Sequence, residues 1–157
     1  AGTNQKPYQS VSKWLAANTG LRNYAWPAIK QWAQSANPEA QRQMLWSNPR
    51  LVFFREEDVP VSGDGPRGAQ GVPLTAGRSI AVDPGSIPYG APVWLVSQGA
   101  DNLHRLVIAQ DTGSAIRGAV RADFYAGTGY EAGVYANRIK QPLWLWVLWP
   151  KNSPVPH

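Results

Sequence analysis

The chain has 157 residues, 43% of them hydrophobic and 16% charged, which excludes an intrinsically disordered protein and fits one domain, or one domain with an appendage, around a real core. Cysteine is absent, ruling out disulfides, thiol catalysis and cysteine–metal sites, and the net charge of +5 is spread without any Lys/Arg run, so no nucleic-acid partner is expected. No apolar run reaches the ~20 residues of a membrane span. The chain opens on Ala1 rather than Met and shows no signal peptide, so processing or a missing upstream part is expected. Eight tryptophans and six tyrosines exceed what a small core uses. Five or six of the Trp are expected inside, the others offering flat faces to sugar rings or bases.

The first fifty-odd residues are predicted helical. Val11, Trp14 and Leu15 recur at helical spacing, Ser10 suits an N-cap, and Gly20 marks a stop. Pro27 suits a first turn, followed by the stripe Ile29, Trp32 and Ala33. Asn37-Pro38-Glu39 spells a cap, a first-turn proline and an acidic first turn, leading to Met44, Leu45 and Trp46 before Asn48-Pro49 breaks the helix. Leu51–Phe54 is a short apolar strand, and 56–72 is a long Gly/Pro loop.

From Leu74 onward the pattern is β. Strands are predicted at Ser79–Val82, Val93–Val96, Leu103–Ala109 and Leu143–Trp149, with a turn at Gly99–Asn102. Short strands without βαβ spacing argue for a small barrel. The last strand is apolar at every position, so cover is expected on both faces, one inside the barrel and one against the N-terminal helices. The expected division is a helical segment, 1–55, packing on a barrel domain, 56–157. The tail from Lys151 to His157 is expected to fray.

Candidate chemistry narrows to carboxylates. His104 and His157 lack ligand spacing, so no metal is expected, and no motif calls for a cofactor. Asp83 ends one apolar strand and opens a Pro/Gly turn, while Asp111 and Asp123, twelve positions apart around a Gly-rich passage, are expected to close strands in the same manner. Each alone is a normal turn former; three together in a Trp-rich β domain balance that role against catalysis. Asp111-Thr112-Gly113-Ser114 also spells the aspartic-protease signature. However, the 46 residues that follow Asp111 lack the apolar–apolar–Gly segment such a protease needs, so the spelling is taken as a look-alike.

Three ordered motifs carry a resemblance. Ser79-Ile80-Ala81-Val82-Asp83-Pro84 with Ile87-Pro88-Tyr89-Gly90, then Ala109-Gln110-Asp111-Thr112-Gly113-Ser114-Ala115-Ile116-Arg117-Gly118, then Arg121-Ala122-Asp123-Phe124-Tyr125, resemble the three-aspartate domain of the bacterial membrane-bound lytic transglycosylase A family. Asn48–Phe54 is similar to the segment preceding that domain, and the match runs from about Tyr8 to Trp149. The resemblance implies a six-stranded double-psi β-barrel. It also implies cleavage of the β-1,4 bond between N-acetylmuramic acid and N-acetylglucosamine in peptidoglycan, with a 1,6-anhydro product. By position, Asp123 is implied as the general acid/base with Asp111 beside it, and Asp83, Gly113, Ser114 and Arg117 as substrate-binding residues. Ser114 and Arg117 stand where the family's middle motif usually has Gly and Lys, and Arg is not a point donor like Lys.

The resemblance further implies glycan strands as the partner and a monomer without metal or cofactor. It places the protein in the periplasm at the outer membrane, held only by a lipid anchor outside this chain. The family's groove-walling second domain is expected upstream and absent from this chain. Two rivals accompany this expectation, an inverting glycoside hydrolase using Asp111 and Asp123 and a non-catalytic glycan-binding module of expansin type.

Overall fold

A computed structural model describes residues 2–54, 56 and 65–154. The chain divides into two compact units, Ala1–Glu57 and Asp58–His157. The predicted loop segment 57–64 and residues 155–157 of the predicted frayed tail lie outside the described residues.

In the first unit, strand β1 (Gly2–Thr3) precedes helices α1 (Val11–Asn18), α2 (Trp26–Ser35) and α3 (Pro38–Trp46), and β2 (Val52–Phe53) pairs antiparallel with β1. The caps are those the sequence spells. The Ser10 side chain accepts from Ser12 N–H at 3.3 Å, and Asn37 Oδ1 accepts from Ala40 N–H at 2.8 Å. The stop of α1 is Thr19 rather than Gly20: its N–H and hydroxyl both donate to Leu15 O, at 2.9 and 2.7 Å. A side chain that satisfies a terminal carbonyl makes a left-handed glycine unnecessary. Leu15, Ile29 and Met44 form the buried centre, with Trp14 and Trp32 edge-to-face at 5.9 Å beside them.

The second unit is a mixed sheet. Strands β3 (Ser79–Ala81), β4 (Pro92–Ser97), β5 (Leu103–Asp111), β6 (Asp123–Phe124) and β7 (Leu143–Val147) lie in the order β6-β3-β5-β4-β7, with helix α4 (Tyr130–Arg138) between β6 and β7 in the chain. β3 and β5 run parallel; the other pairs are antiparallel. Period-two alternation puts Ile80, Val93, Leu95, Leu103, Val107 and Ala109 into one apolar core. The mainly-β character therefore stands, with five strands paired among the described residues and β6 and β7 at the sheet edges.

One expectation fails here. In the terminal strand Leu145 packs on the core, while Trp144 and Trp146 are about half exposed, at 47% and 51%. Tryptophan does not fill the interior. None of the eight is buried; Trp14 and Trp32 are partly covered, and the other six are exposed. The inner face is filled by small β-branched and aliphatic side chains at close spacing, which leaves no room for an indole.

Candidate active site

The site forms where β5 and β6 flank β3. Regular pairing runs Ser79 with Ile108 and Ile80 with Ala109, and then the register jumps so that Ala81 lies beside Asp111. Gln110 is the extra residue, a β-bulge that turns Asp111 onto the face Gln110 would otherwise hold. On the other edge of β3, Ala81 pairs with Asp123. Asp111 and Asp123 are thus lateral neighbours of one residue, on the face opposite the core trio Ile80, Ala109 and Phe124. Asp111 ends its strand as expected, but Asp123 begins one.

The two carboxylates share a cavity of about 220 Å³, walled by Leu74, Ile80, Gly113, Ile116 and Tyr125 among others. Their surroundings differ. Asp111 is half-buried, and its Oδ1 accepts from Ala69 N–H at 2.9 Å, so one side of it is fixed. Asp123 is exposed, and its carboxyl has no hydrogen-bond partner among the described residues. Asp123 and Phe124 also border a second cavity of about 930 Å³, which Arg121, Asn137, Lys140 and Leu143 help to line.

A hairpin at 65–74, which starts within the predicted long loop 56–72 and runs past its end, roofs the Asp111 side. Gly65 N–H donates to Leu74 O, Leu74 N–H to Pro66 O and Gly68 N–H to Val72 O, each at 2.9 Å. Its tip is pinned to the bulge by Gln70 N–H donating to Gln110 O at 3.1 Å. Any Cβ at Gly68 would overlap the Gln110 carbonyl, so the close approach requires glycine there.

Two family models match the chain, the 3D domain over residues 78–149 and the MltA specific insert domain over residues 1–55. The chain belongs to the MltA family. Membrane-bound lytic murein transglycosylase A of Vibrio cholerae is 33% identical over 170 residues, covering 99% of this chain and 44% of that protein. A crystal structure of MltA from Neisseria gonorrhoeae superimposes with a TM-score of 0.84 at 36% identity, covering 98% of this chain and 40% of that one. E. coli MltA with bound chitohexaose gives 0.77 at 29% identity, covering 94% and 45%. The chain therefore spans less than half the length of these MltA proteins, and its first 55 residues are themselves insert-domain sequence.

Within this MltA-family chain, the six residues marked in the sequence separate into two groups. Asp111, Asp123 and Gly113 line the smaller cavity; Asp83, Ser114 and Arg117 do not. Asp83 instead ties two loops together. Its Oδ1 accepts from Gly85 N–H at 3.1 Å and its Oδ2 from Gly118 N–H at 2.8 Å, while Thr112 Oγ1 donates to Val82 O at 2.8 Å. The loop between Asp111 and Gly118 is thereby fixed at both ends. Gly118 takes φ +86°, a conformation glycine adopts without strain. Ser114 and Arg117 are exposed on this loop. Sequence reasoning missed Ala69, Thr112 and Tyr125; only the glycines of 65–71 signalled the hairpin that brings Ala69 in.

Hydrogen bonds from the Gly118 N–H and then the Gly85 N–H hold the Asp83 carboxyl below its ordinary value of 3.8, outweighing desolvation, and the Arg117 charge adds a lesser lowering. A lowered folded-state pKa contributes stability at neutral pH that is lost as pH falls through that value. We expect the thermal midpoint of the wild type to fall more steeply than that of Asp83→Asn between about pH 5 and pH 2. Parallel acid limbs in a pH series of melts would show that the Asp83 tie contributes nothing.

Proposed function

We propose that this chain carries the reacting carboxylates of a peptidoglycan lytic transglycosylase, with Asp123 as the single general acid/base. The observation that carries this reading is the pairing of Asp111 and Asp123 on either side of Ala81, over one cavity, with Asp111 anchored by Ala69 N–H and Asp123 exposed without a hydrogen-bond partner among the described residues. A group that must give and then take a proton needs an accessible oxygen, which the exposed Asp123 side chain offers; Asp111 suits a fixed neighbouring charge. Family membership and relatives named lytic murein transglycosylase support the same reading, as does the chitohexaose bound to E. coli MltA.

In the proposed step, protonated Asp123 donates to the glycosidic oxygen as the bond from the muramoyl C1 breaks. The C6 hydroxyl oxygen of the same sugar attacks C1, and the Asp123 carboxylate takes its proton. The nucleophile is internal, no water is consumed, and Asp123 ends protonated as it began. The partner is a peptidoglycan glycan strand, met on the periplasmic side of the cell envelope at the outer membrane. We extend the reading to the fold: the five-stranded sheet belongs to a six-stranded double-psi β-barrel. The parallel β3–β5 pair beside antiparallel neighbours and the single apolar inner face support it.

One observation favours a second reading. Two strand spacings separate Asp111 from Asp123, about 10 Å between Cα atoms, which is compatible with the ~6.5–9.5 Å carboxyl separation of an inverting hydrolase. Product analysis decides between them. Digestion of purified peptidoglycan is expected to release 1,6-anhydromuropeptides. Reducing ends alone would establish the hydrolase, and binding without soluble fragments would leave neither enzyme.

A further inference from the structure

We propose that Ser79 and Gln110 are positioning residues for Asp111, acting through the bulge that aims it. This rests on the reading of Asp111 and Asp123 as the reacting pair. Neither Ser79 nor Gln110 lines the cavity that holds the carboxylates. Without the extra residue, the amide of Gln110 would stand beside Ala81 in line with Asp123, and Asp111 would turn to the opposite face. The bulge is therefore what makes the carboxylate pair, and something must hold it, because a bulged residue forfeits regular ladder bonding.

Two bonds hold it. The Gln110 carbonyl accepts from Gln70 N–H at 3.1 Å, and the Gln110 side-chain Oε1 accepts from Ser79 Oγ at 2.5 Å. Ser79 is fully buried, and its hydroxyl also accepts from Thr75 N–H at 2.8 Å, so the serine proton points at Gln110. The hydrogen-bond chain from Thr75 N–H through Ser79 O–H to Gln110 Oε1 links the buried start of β3 to the bulge. Water cannot replace a hydroxyl with no exposed surface, so losing either partner frees the bulge to slide in register. Ser79 also fixes the neighbouring strand: its carbonyl accepts from Tyr125 N–H at 3.0 Å, two residues past Asp123. One buried serine thus touches the supports of both carboxylates.

The test measures kcat, KM and the pH–rate profile of the purified protein on peptidoglycan, scored by 1,6-anhydro products, with thermal midpoints recorded alongside. Ser79→Ala and Gln110→Ala are expected to lower kcat about tenfold to a hundredfold while KM stays within about twofold, since positioning acts on the reacting geometry more than on binding. Their pH–rate profiles are expected to shift along with kcat, and the double variant is expected to be no worse than the weaker single one. Variants that melt earlier but keep the wild-type kcat and pH profile would reduce the pair to a structural role and overturn the inference. If Ser79→Ala does not fold, Gln110→Ala carries the comparison, because Gln110 is only half-buried. A wild-type protein that yields no 1,6-anhydro product refutes the proposed activity and takes this inference with it; an active wild type with unaltered variants refutes the positioning alone.

Discussion

Asp123→Asn is expected to lower anhydromuropeptide release by about 10²–10⁴-fold without changing the thermal midpoint. The amide has the same shape as the carboxyl, and the exposed Asp123 side chain has no hydrogen bond to lose among the described residues. The β6–β3 pairing is made by backbone and survives. What the amide cannot do is exchange a proton with the glycosidic oxygen and the C6 hydroxyl. Asp111→Asn is the informative companion. Its Oδ1 is engaged by Ala69 N–H at 2.9 Å, and an Asn oxygen can accept the same bond, so the anchor is retained and only the charge is lost. With a single acid/base, Asp111→Asn costs clearly less than Asp123→Asn. An inverting pair needs both carboxyls, one as acid and one as base, and would be crippled equally by either change. Steady-state rates of the two variants on the same peptidoglycan separate these cases, and an active Asp123→Asn protein would remove Asp123 from the chemistry.

Much of this site was legible because local chemistry dictated it. Ser10 and Asn37 cap their helices as their side chains require, and Asp83 makes the turn that its Pro/Gly neighbours spell. Asp83, Asp111 and Asp123 stand out as carboxylates beside short apolar or Gly-rich stretches. The invisible features are those set by pairing. A bulge at Gln110 has no residue signature, yet it decides which face Asp111 occupies. The Ala69 N–H that anchors Asp111 comes from 42 residues away and belongs to the backbone, which sequence does not distinguish. Helix α4 went unpredicted because it buries no side chain and contains Gly133, so no apolar stripe marks it. The Trp residues misled in the other direction. An indole scores as apolar, but β4 and β7 turn Trp94, Trp144 and Trp146 outward at period two, while Val93, Leu95 and Leu145 take the inner positions.

Gly68→Ala tests the roof of the site with one methyl group. Gly68 lies so close to the bulge that a new Cβ would overlap the Gln110 carbonyl oxygen and come within 2.7 Å of Leu74 Cδ2. The leucine can rotate, but the carbonyl cannot move without carrying Gln110 and Asp111 with it. The hairpin must therefore lift. Lifting breaks the Ala69–Asp111 bond at 2.9 Å and the Gln70–Gln110 bond at 3.1 Å, while bonds within the hairpin can survive. Overpacking of this kind costs about 1–3 kcal/mol, and the lost bonds add about 0.5–1.5 kcal/mol each. At about 2–4 °C per kcal/mol for chains of this size, the melting temperature should drop by several degrees. Catalysis should fall as well, because Asp111 loses its one fixed oxygen. Gly71→Ala is the control in the same hairpin. Its φ of +86° makes alanine strained, but nothing lies within 4 Å of the added Cβ, so it should cost about 1 kcal/mol and leave kcat intact. If Gly68→Ala melts early yet turns over at the wild-type rate, the Ala69 bond does not hold Asp111 for catalysis. Equal losses of activity in both variants would mean that hairpin stability in general, rather than the close approach to Gln110, governs the site.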